Sequence, residues 1–236
     1  IYFYIMTYRN KRLFITLISF ILLLSLNYSC KNSHNNNSGS YVEDVDKIRY
    51  KTIKIGSQVW MSENLKVTRF SNGDPVPFVA DNLEWEEANS GAYCYYQNDM
   101  KYDDLYGKLY NWWAVNDPRG LCPEGWHIPT DVEWQLLSDY LGGNEIAGNK
   151  MKEVGSKNWE HPNNGATNVS GFTALPAGGR DEFGEFIIDK YGGHWWSVTE
   201  DGDIDIWVRS IYFGYGSTLR DSYHKNCGFS VRCIKN

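Results

Sequence analysis

Cys122-Pro-Glu-Gly-Trp-His-Ile-Pro-Thr-Asp-Val-Glu-Trp-Gln-Leu-Leu-Ser-Asp-Tyr140 is the stretch from which the rest of the chain is read. Thr130 and Glu133 stand at capping-box spacing: the hydroxyl accepts the backbone N–H of Glu133, and that carboxylate reaches back to Thr130. Pro129 keeps the preceding residue out of helical backbone, so the start is sharp. Behind the cap, Trp134, Leu137 and Leu141 share one helix face, with Leu136 and Tyr140 beside it. Gly142-Gly143 ends the helix, because glycine takes the left-handed exit without a Cβ clash.

Upstream, Ile53 to Met61 alternates apolar and polar around Gly56-Ser57, which predicts a β-hairpin with a two-residue turn. Ser71-Asn-Gly-Asp-Pro75 is a turn cluster. Asp81 to Ala88 predicts one helical turn carrying Trp85, and Tyr93 to Tyr96 a short strand. Leu109, Trp112, Trp113 and Asn116 fall at helical spacing, which predicts a first helix that Asn116-Asp-Pro-Arg-Gly120 breaks. A further helix is expected from Asn144 to about Val154, with Ile146, Met151 and Val154 inward. Strands are then expected at Phe172–Arg180, Glu185–Ile188, His194–Val198, Asp205–Tyr212 and Gly228–Ile234. Helices first and short, mostly antiparallel strands joined by long Gly-rich loops afterwards make an α+β fold.

Composition bounds the function. The 236 residues carry a formal charge of −6, which argues against a nucleic-acid partner, since that would need a basic face. Trp 10, Tyr 17 and Phe 10 are far from a disordered composition. The plain reading is that the rings fill a small core; the sharper one is that some form exposed binding platforms.

Arg9, Lys11 and Arg12 precede the apolar run Leu13–Leu26, which is short for a membrane span and suits a signal-peptide core. The run ends in Leu26-Asn-Tyr-Ser-Cys30, which resembles a lipobox. Residues 1–30 are therefore expected to be a signal peptide, with Cys30 lipidated and the membrane held through that anchor. Residues 31–50, Asn- and Ser-rich at first, are expected to form a flexible tether, and residues 51–236 the domain. The expected location is the cell envelope, as a lipid-anchored outer-membrane protein. Apart from Cys30, the four cysteines Cys94, Cys122, Cys227 and Cys233 suggest disulfides in an exported chain, with three connectivities open. No Cys-x-x-Cys pair points to zinc.

Catalytic motifs are wanting. His127, His161, His194 and His224 are scattered without His-Glu-x-x-His spacing, and there is no Gly-x-Ser-x-Gly elbow or phosphate loop. His127, in a rigid turn, reads as structural. No catalytic residue and no cofactor is expected. Alternate carboxylates at Asp201, Asp203 and Asp205 can converge on Ca²⁺, which takes several hard oxygens. The run lacks the closing glutamate of an EF-hand loop, so a solvated acidic turn is the competing reading. Trp195 and Trp196 are adjacent, so on a strand they point to opposite faces, one to the core and one outward. That one, with Trp207, Arg209 and Arg180, is the candidate ligand contact.

Gln58-Val-Trp-Met-Ser-Glu-Asn-Leu65, Tyr106-Gly-Lys-Leu-Tyr110, Cys122-Pro-Glu-Gly-Trp-His-Ile-Pro-Thr130, Trp195-Trp-Ser-Val-Thr-Glu200 and Gly228-Phe-Ser-Val-Arg-Cys233 occur in this order. Together they resemble the Fibrobacter succinogenes major paralogous domain, a module of exported proteins in Bacteroidetes and Fibrobacteres, over roughly Ile53 to Lys235. The resemblance implies a C-type-lectin-like fold, similar also to formylglycine-generating enzymes. It implies a Cys122–Cys233 disulfide, leaving Cys94 and Cys227 as a second pair. The reactive cysteine pair of the formylglycine-generating enzymes is not reproduced, so that oxidoreductase reading is disfavoured. The expectation is a non-catalytic surface module binding an extracellular glycan or protein through the loops between Gly178 and Gly216. A purely structural or adhesive role is the alternative.

Overall fold

The computed structural model describes residues 40–187 and 190–236. The expected signal peptide, Cys30 and the expected tether up to residue 39 lie outside the described residues, as does Ile188. In chain order, the elements begin with β1 (Tyr41–Glu43), β2 (Arg49–Ile55), β3 (Gln58–Met61), α1 (Asn82–Glu86) and β4 (Tyr93–Tyr95). Next come α2 (Asp103–Tyr106), β5 (Lys108–Tyr110), α3 (Trp112–Val115), β6 (Trp126–His127), α4 (Asp131–Tyr140) and α5 (Asn144–Met151). The last third holds β7 (Gly179–Arg180), β8 (Phe186–Ile187), β9 (Gly192–Asp201), β10 (Asp205–Tyr212), β11 (Leu219–His224) and β12 (Ile234–Lys235). The fold is mixed, with few helices and many short antiparallel strands in small curled sheets.

The first hairpin forms as its pattern predicts, with Ile55 opposite Gln58 across Gly56-Ser57. Gly56 has φ +62°, and a Cβ there would lie 2.8 Å from the Tyr140 ring. Glycine is thus required both by the turn and by the close approach of α4. Residues 41–50, read as tether, are instead structured: β1 pairs with β2 in the register Val42–Tyr50. The Tyr50 hydroxyl donates to Asp44 at 2.6 Å, and both residues are buried. Composition hid this, because the cost of ordering so polar a stretch is met by one buried tyrosine and one carboxylate.

Helix α4 forms as expected. Its capping box is complete, with Glu133 N donating to Thr130 Oγ1 at 3.2 Å and Thr130 N to Glu133 Oε2 at 2.8 Å. Trp134, Leu137 and Leu141 are buried, while Leu136 and Tyr140 face out. Helix α5 corrects the expected inward face. Ile146 and Val154 are 45% and 60% exposed, and Ala147, Gly148 and Met151 point inward. A Cβ on Gly148 would stand 2.3 Å from the Ser217 carbonyl oxygen, so the helix docks through a residue without a side chain. It stops at Met151 because Lys152 turns extended, and its Nζ donates to the carbonyls of Tyr212, Phe213 and Tyr215. The predicted first helix is half strand. Lys108, Leu109 and Tyr110 pair with β4, and only Trp112–Val115 is helical. Asn111 divides the two, its Oδ1 accepting from Ala92 N and Ala114 N. A strand buried on both faces shows no alternation, which is why helical spacing could be read into it.

Strand order is β1-β2-β3-β12-β6 in one sheet and β11-β10-β9 in another, with β4-β5 and β7-β8 as two-stranded pairs. The C-terminal segment joins all four. Gly228 bridges Arg180, Phe229 bridges Tyr110, Ser230 bridges Trp195, and Ile234 pairs with both Trp60 and His127. Residues 227–234 are all buried. Rather than one strand, as expected, this segment makes successive single contacts with different sheets. It divides the aromatic core: Phe229 packs on Trp196 at 4.9 Å on one side, and Trp60, Trp134, Phe172 and Trp195 stack on the other.

Candidate functional site

The contacts expected in the later loops are placed inside the fold. Trp195 and Trp196 are both 0% exposed. They point to opposite faces of β9, but both faces are covered. Trp196 donates its indole N–H to Tyr110 O at 2.7 Å, and Trp195 donates to Asn64 Oδ1 at 3.0 Å. Arg180 is buried, with its guanidinium donating to the carbonyls of Gly184, Val79, Ala80 and Asp81 and to Asn82 Oδ1. Arg209 is buried against Asp131 at 2.6 Å. Trp207 stays half-buried, with Arg220 lying 3.2 Å over its ring and bonded to Asp131 at 3.0 Å. None of these five presents a free binding face.

The acidic run does not converge either. Asp201 and Asp205 pair across the β9–β10 hairpin. The Lys225 ammonium donates to Asp203 O at 2.7 Å and meets Glu200 at 3.3 Å. The cation thus meets one carboxylate of the run, Glu200, and the backbone of Asp203. Among the described residues no group of three or more His, Cys, Asp and Glu side chains is placed to hold a metal ion.

Cys122 and Cys233 are bonded, tying the turn before β6 to the C-terminal segment across 111 residues. Cys94 and Cys227 are not a second pair; both are buried free thiols. Cys94 packs beneath Trp85 and Tyr96, while Cys227 belongs to the cluster around Phe229. Burial pushes the Cys94 thiol up to about 12 against the pull of the neighbouring Arg180. Burial also raises Cys227, helped by the Glu182 carboxylate, whose Oε2 lies 3.6 Å from Sγ. Thiols held protonated are poor nucleophiles. His194 is enclosed by Tyr212, Tyr223 and Phe229, and bonds Ser210 Oγ at 2.9 Å; burial pushes it down to about 4, so it is neutral.

One concavity among the described residues, of about 320 Å³, lies between Lys54, Tyr140, Lys150 and Ser170; two others lie around the signature turn and the segment before it. A groove of about 480 Å³ is bordered by Val115, Asn116, Leu121, Glu124, Trp126 and Val198, with Cys122 in its wall. A second, of about 290 Å³, is bordered by Ser90, Trp112, Trp113, Asn116, Asp117 and Pro118. Asn116 lines both, so the two meet there. Ligand pockets typically enclose about 300–1,000 Å³, which the larger groove reaches alone.

Its walls are held from several directions. Ser71 Oγ donates to Cys122 O at 2.7 Å, Trp126 N to Pro123 O at 3.0 Å, and Asn236 N to Gly125 O at 3.0 Å. His127 sits between Glu133, 2.9 Å from Nε2, and Asn236, 2.6 Å from Nδ1, so it is structural, as its position in the turn predicts. Trp113 is fixed by its indole N–H to Asn226 Oδ1 at 2.8 Å. Three polar groups on the rim are left unengaged among the described residues: the Asn116 amide, the Glu124 carboxylate and the Trp126 indole N–H. The sequence reading passed over them, taking Asn116 as a helix end and Glu124–Trp126 as turn material. The pointer it had was a tryptophan within a turn of otherwise small, rigid residues.

No curated protein and no solved structure matches the chain. Residues 53–235, more than three quarters of its length, match the Fibrobacter succinogenes major domain. The chain belongs to the Fibrobacter succinogenes major domain family.

Proposed function

We propose that this protein is an exported, lipid-anchored, non-catalytic module of the cell envelope that binds an extracellular ligand through the groove beside Trp126. The groove carries the reading. It combines a half-buried indole with an unengaged N–H and two further unengaged polar groups, Asn116 and Glu124, on walls fixed by a disulfide and by backbone hydrogen bonds. Such preorganisation lowers the entropic cost of binding. The basic and apolar residues before Cys30 support export and anchoring. A C-type-lectin-like architecture is part of the proposal. It is supported by the sheet that brings β2 and β3 together with β12, and by the disulfide from Cys122 to the last segment. No cofactor is required.

The structural or adhesive alternative is favoured by one observation, the outward stripe Val132, Leu136 and Tyr140 on α4. The formylglycine-generating alternative finds no support, because Cys233 is bonded and Cys227 is a buried, protonated thiol.

Binding of the full chain in detergent to arrays of glycans and extracellular proteins, with and without a chelator, tests the reading. Retention of signal with chelator is expected. Absence of any ligand on either array would leave the adhesive role. Fatty-acid labelling that survives Cys30→Ala would move the anchor away from Cys30, and no labelling of the unaltered chain would remove it.

A further inference from the structure

We infer that the two grooves meeting at Asn116 form one cleft for a neutral oligosaccharide, with Trp126 at one end and Trp113 at the other. The inference rests on the proposal that the groove binds an extracellular ligand, and it assigns the ligand's chemistry.

Charge narrows the class first. No lysine or arginine borders either groove, whereas Glu124 and Asp117 do. Asp117 is already held by Arg119, at 2.8 Å from both Nε and Nη2, which leaves Glu124 as the free charge. Lys225 lies 4.6 Å from the Trp112 ring but is engaged by Asp203 O and Glu200, so an anionic ligand meets no free counter-charge and one repelling carboxylate.

Hydrogen-bonding capacity narrows it further. The amide of Asn116 donates and accepts, the Glu124 carboxylate accepts, and the Trp126 indole donates. That mixed set, in a lining that also holds tryptophans and the aliphatic Val115 and Val198, matches a ligand with hydroxyls at its edges and C–H groups on its faces. A further donor lies in the second groove. Trp112 is 3% exposed, and its indole N–H finds no acceptor among the described residues. An unpaired buried donor costs about 1–3 kcal/mol.

An extended peptide fits less well. Strand addition needs a run of free backbone groups. The sheet edge at this cleft is the two-residue β6, and Trp126 N is already bonded to Pro123 O. Extent supplies the last element. The two grooves enclose about 480 and 290 Å³ and share only Asn116 between their borders, so a single sugar ring occupies one of them.

The experiment is calorimetric titration of the full chain in detergent with neutral gluco-, xylo- and manno-oligosaccharides of one, three and five units, and with an unstructured peptide library in parallel. Affinity is expected to rise about tenfold or more from one unit to five in at least one series. Asn116→Ala and Trp126→Ala should each lower that affinity about tenfold, with Trp207→Ala unchanged. Trp126→Phe, which keeps a ring and loses the N–H, guards against a misfolded alanine variant and should fall between. Sugar binding that ignores Asn116 and Trp126 would overturn the cleft while leaving a ligand-binding protein. Length-independent binding, binding of peptides alone, or no binding of any neutral sugar would each overturn it as well.

Discussion

Replacing Arg180 by methionine separates two meanings of a buried arginine. As a ligand contact, it would be expendable for folding. In the structure its guanidinium gathers four backbone carbonyls, Val79, Ala80, Asp81 and Gly184, at 2.8 to 3.2 Å, together with Asn82 Oδ1 at 2.9 Å. It also lies 4.5 Å over the Trp85 ring and 5.1 Å over that of Phe186. It thereby ties the β7–β8 hairpin to the segment that leads into α1. Methionine keeps much of the volume and removes every donor. Each buried acceptor left unpaired costs about 1 kcal/mol or more. Some of these carbonyls are only partly buried and regain water, and the desolvation of the charge is recovered, so the net loss is expected at about 3–5 kcal/mol. Lysine should recover only a minor part, because a point charge cannot fork to carbonyls in several directions. The assay is urea unfolding followed by tryptophan fluorescence, with the midpoint falling and the slope unchanged. A loss under about 1 kcal/mol would refute the latch, and a binding defect in an otherwise stable Arg180→Met protein would return Arg180 to the ligand.

Three other outcomes are expected. Serine at both Cys122 and Cys233 should lower stability by about 4–5 kcal/mol in denaturant titrations, since the bond closes 111 residues; a loss below about 1 kcal/mol would mean the buried segment holds itself. His194 binds a proton in the unfolded chain at its ordinary value of 6.5 but in the folded protein only near 4, so stability should fall as pH drops through that window, by about 3 kcal/mol in all. His194→Gln should flatten that part of the stability–pH curve, and an unaltered curve would show that other groups carry it. Gly148→Ala, which by helix propensity should gain about 1 kcal/mol, is expected to lose about 1–3 kcal/mol because the new Cβ meets the Ser217 carbonyl at 2.3 Å; a higher thermal midpoint would contradict that packing.

Local chemistry was legible from local residues. The capping box at Thr130 and Glu133, the Gly56-Ser57 turn and the Trp85 helical turn each depend on groups a few positions apart, and each forms where its pattern stands. The Cys122–Cys233 bond was implied by resemblance, since nothing local joins residues so far apart. What misled was burial on both sides. Trp195 and Trp196 alternate as a strand requires, yet the C-terminal segment and Tyr110 cover one, and Phe172 with Asn64 covers the other. Lys108–Tyr110 gave a helical period only because no face of it meets water.

By itself, the sequence determined the helix behind Cys122, the hairpin turn, the α+β character and the family. The first three rest on capping, backbone permissiveness and side-chain period, which act over a few residues, and the family on five motifs in a fixed order. The tertiary structure alone decided where the side chains of the signature turn lie. Bonded by Cys122 to the buried end of the chain, it carries Glu124 and Trp126 to a groove shared with Asn116, while the aromatics and arginines of the later loops are drawn inward. Exposure is settled by what packs on a residue from elsewhere in the chain, and no window of sequence contains that partner.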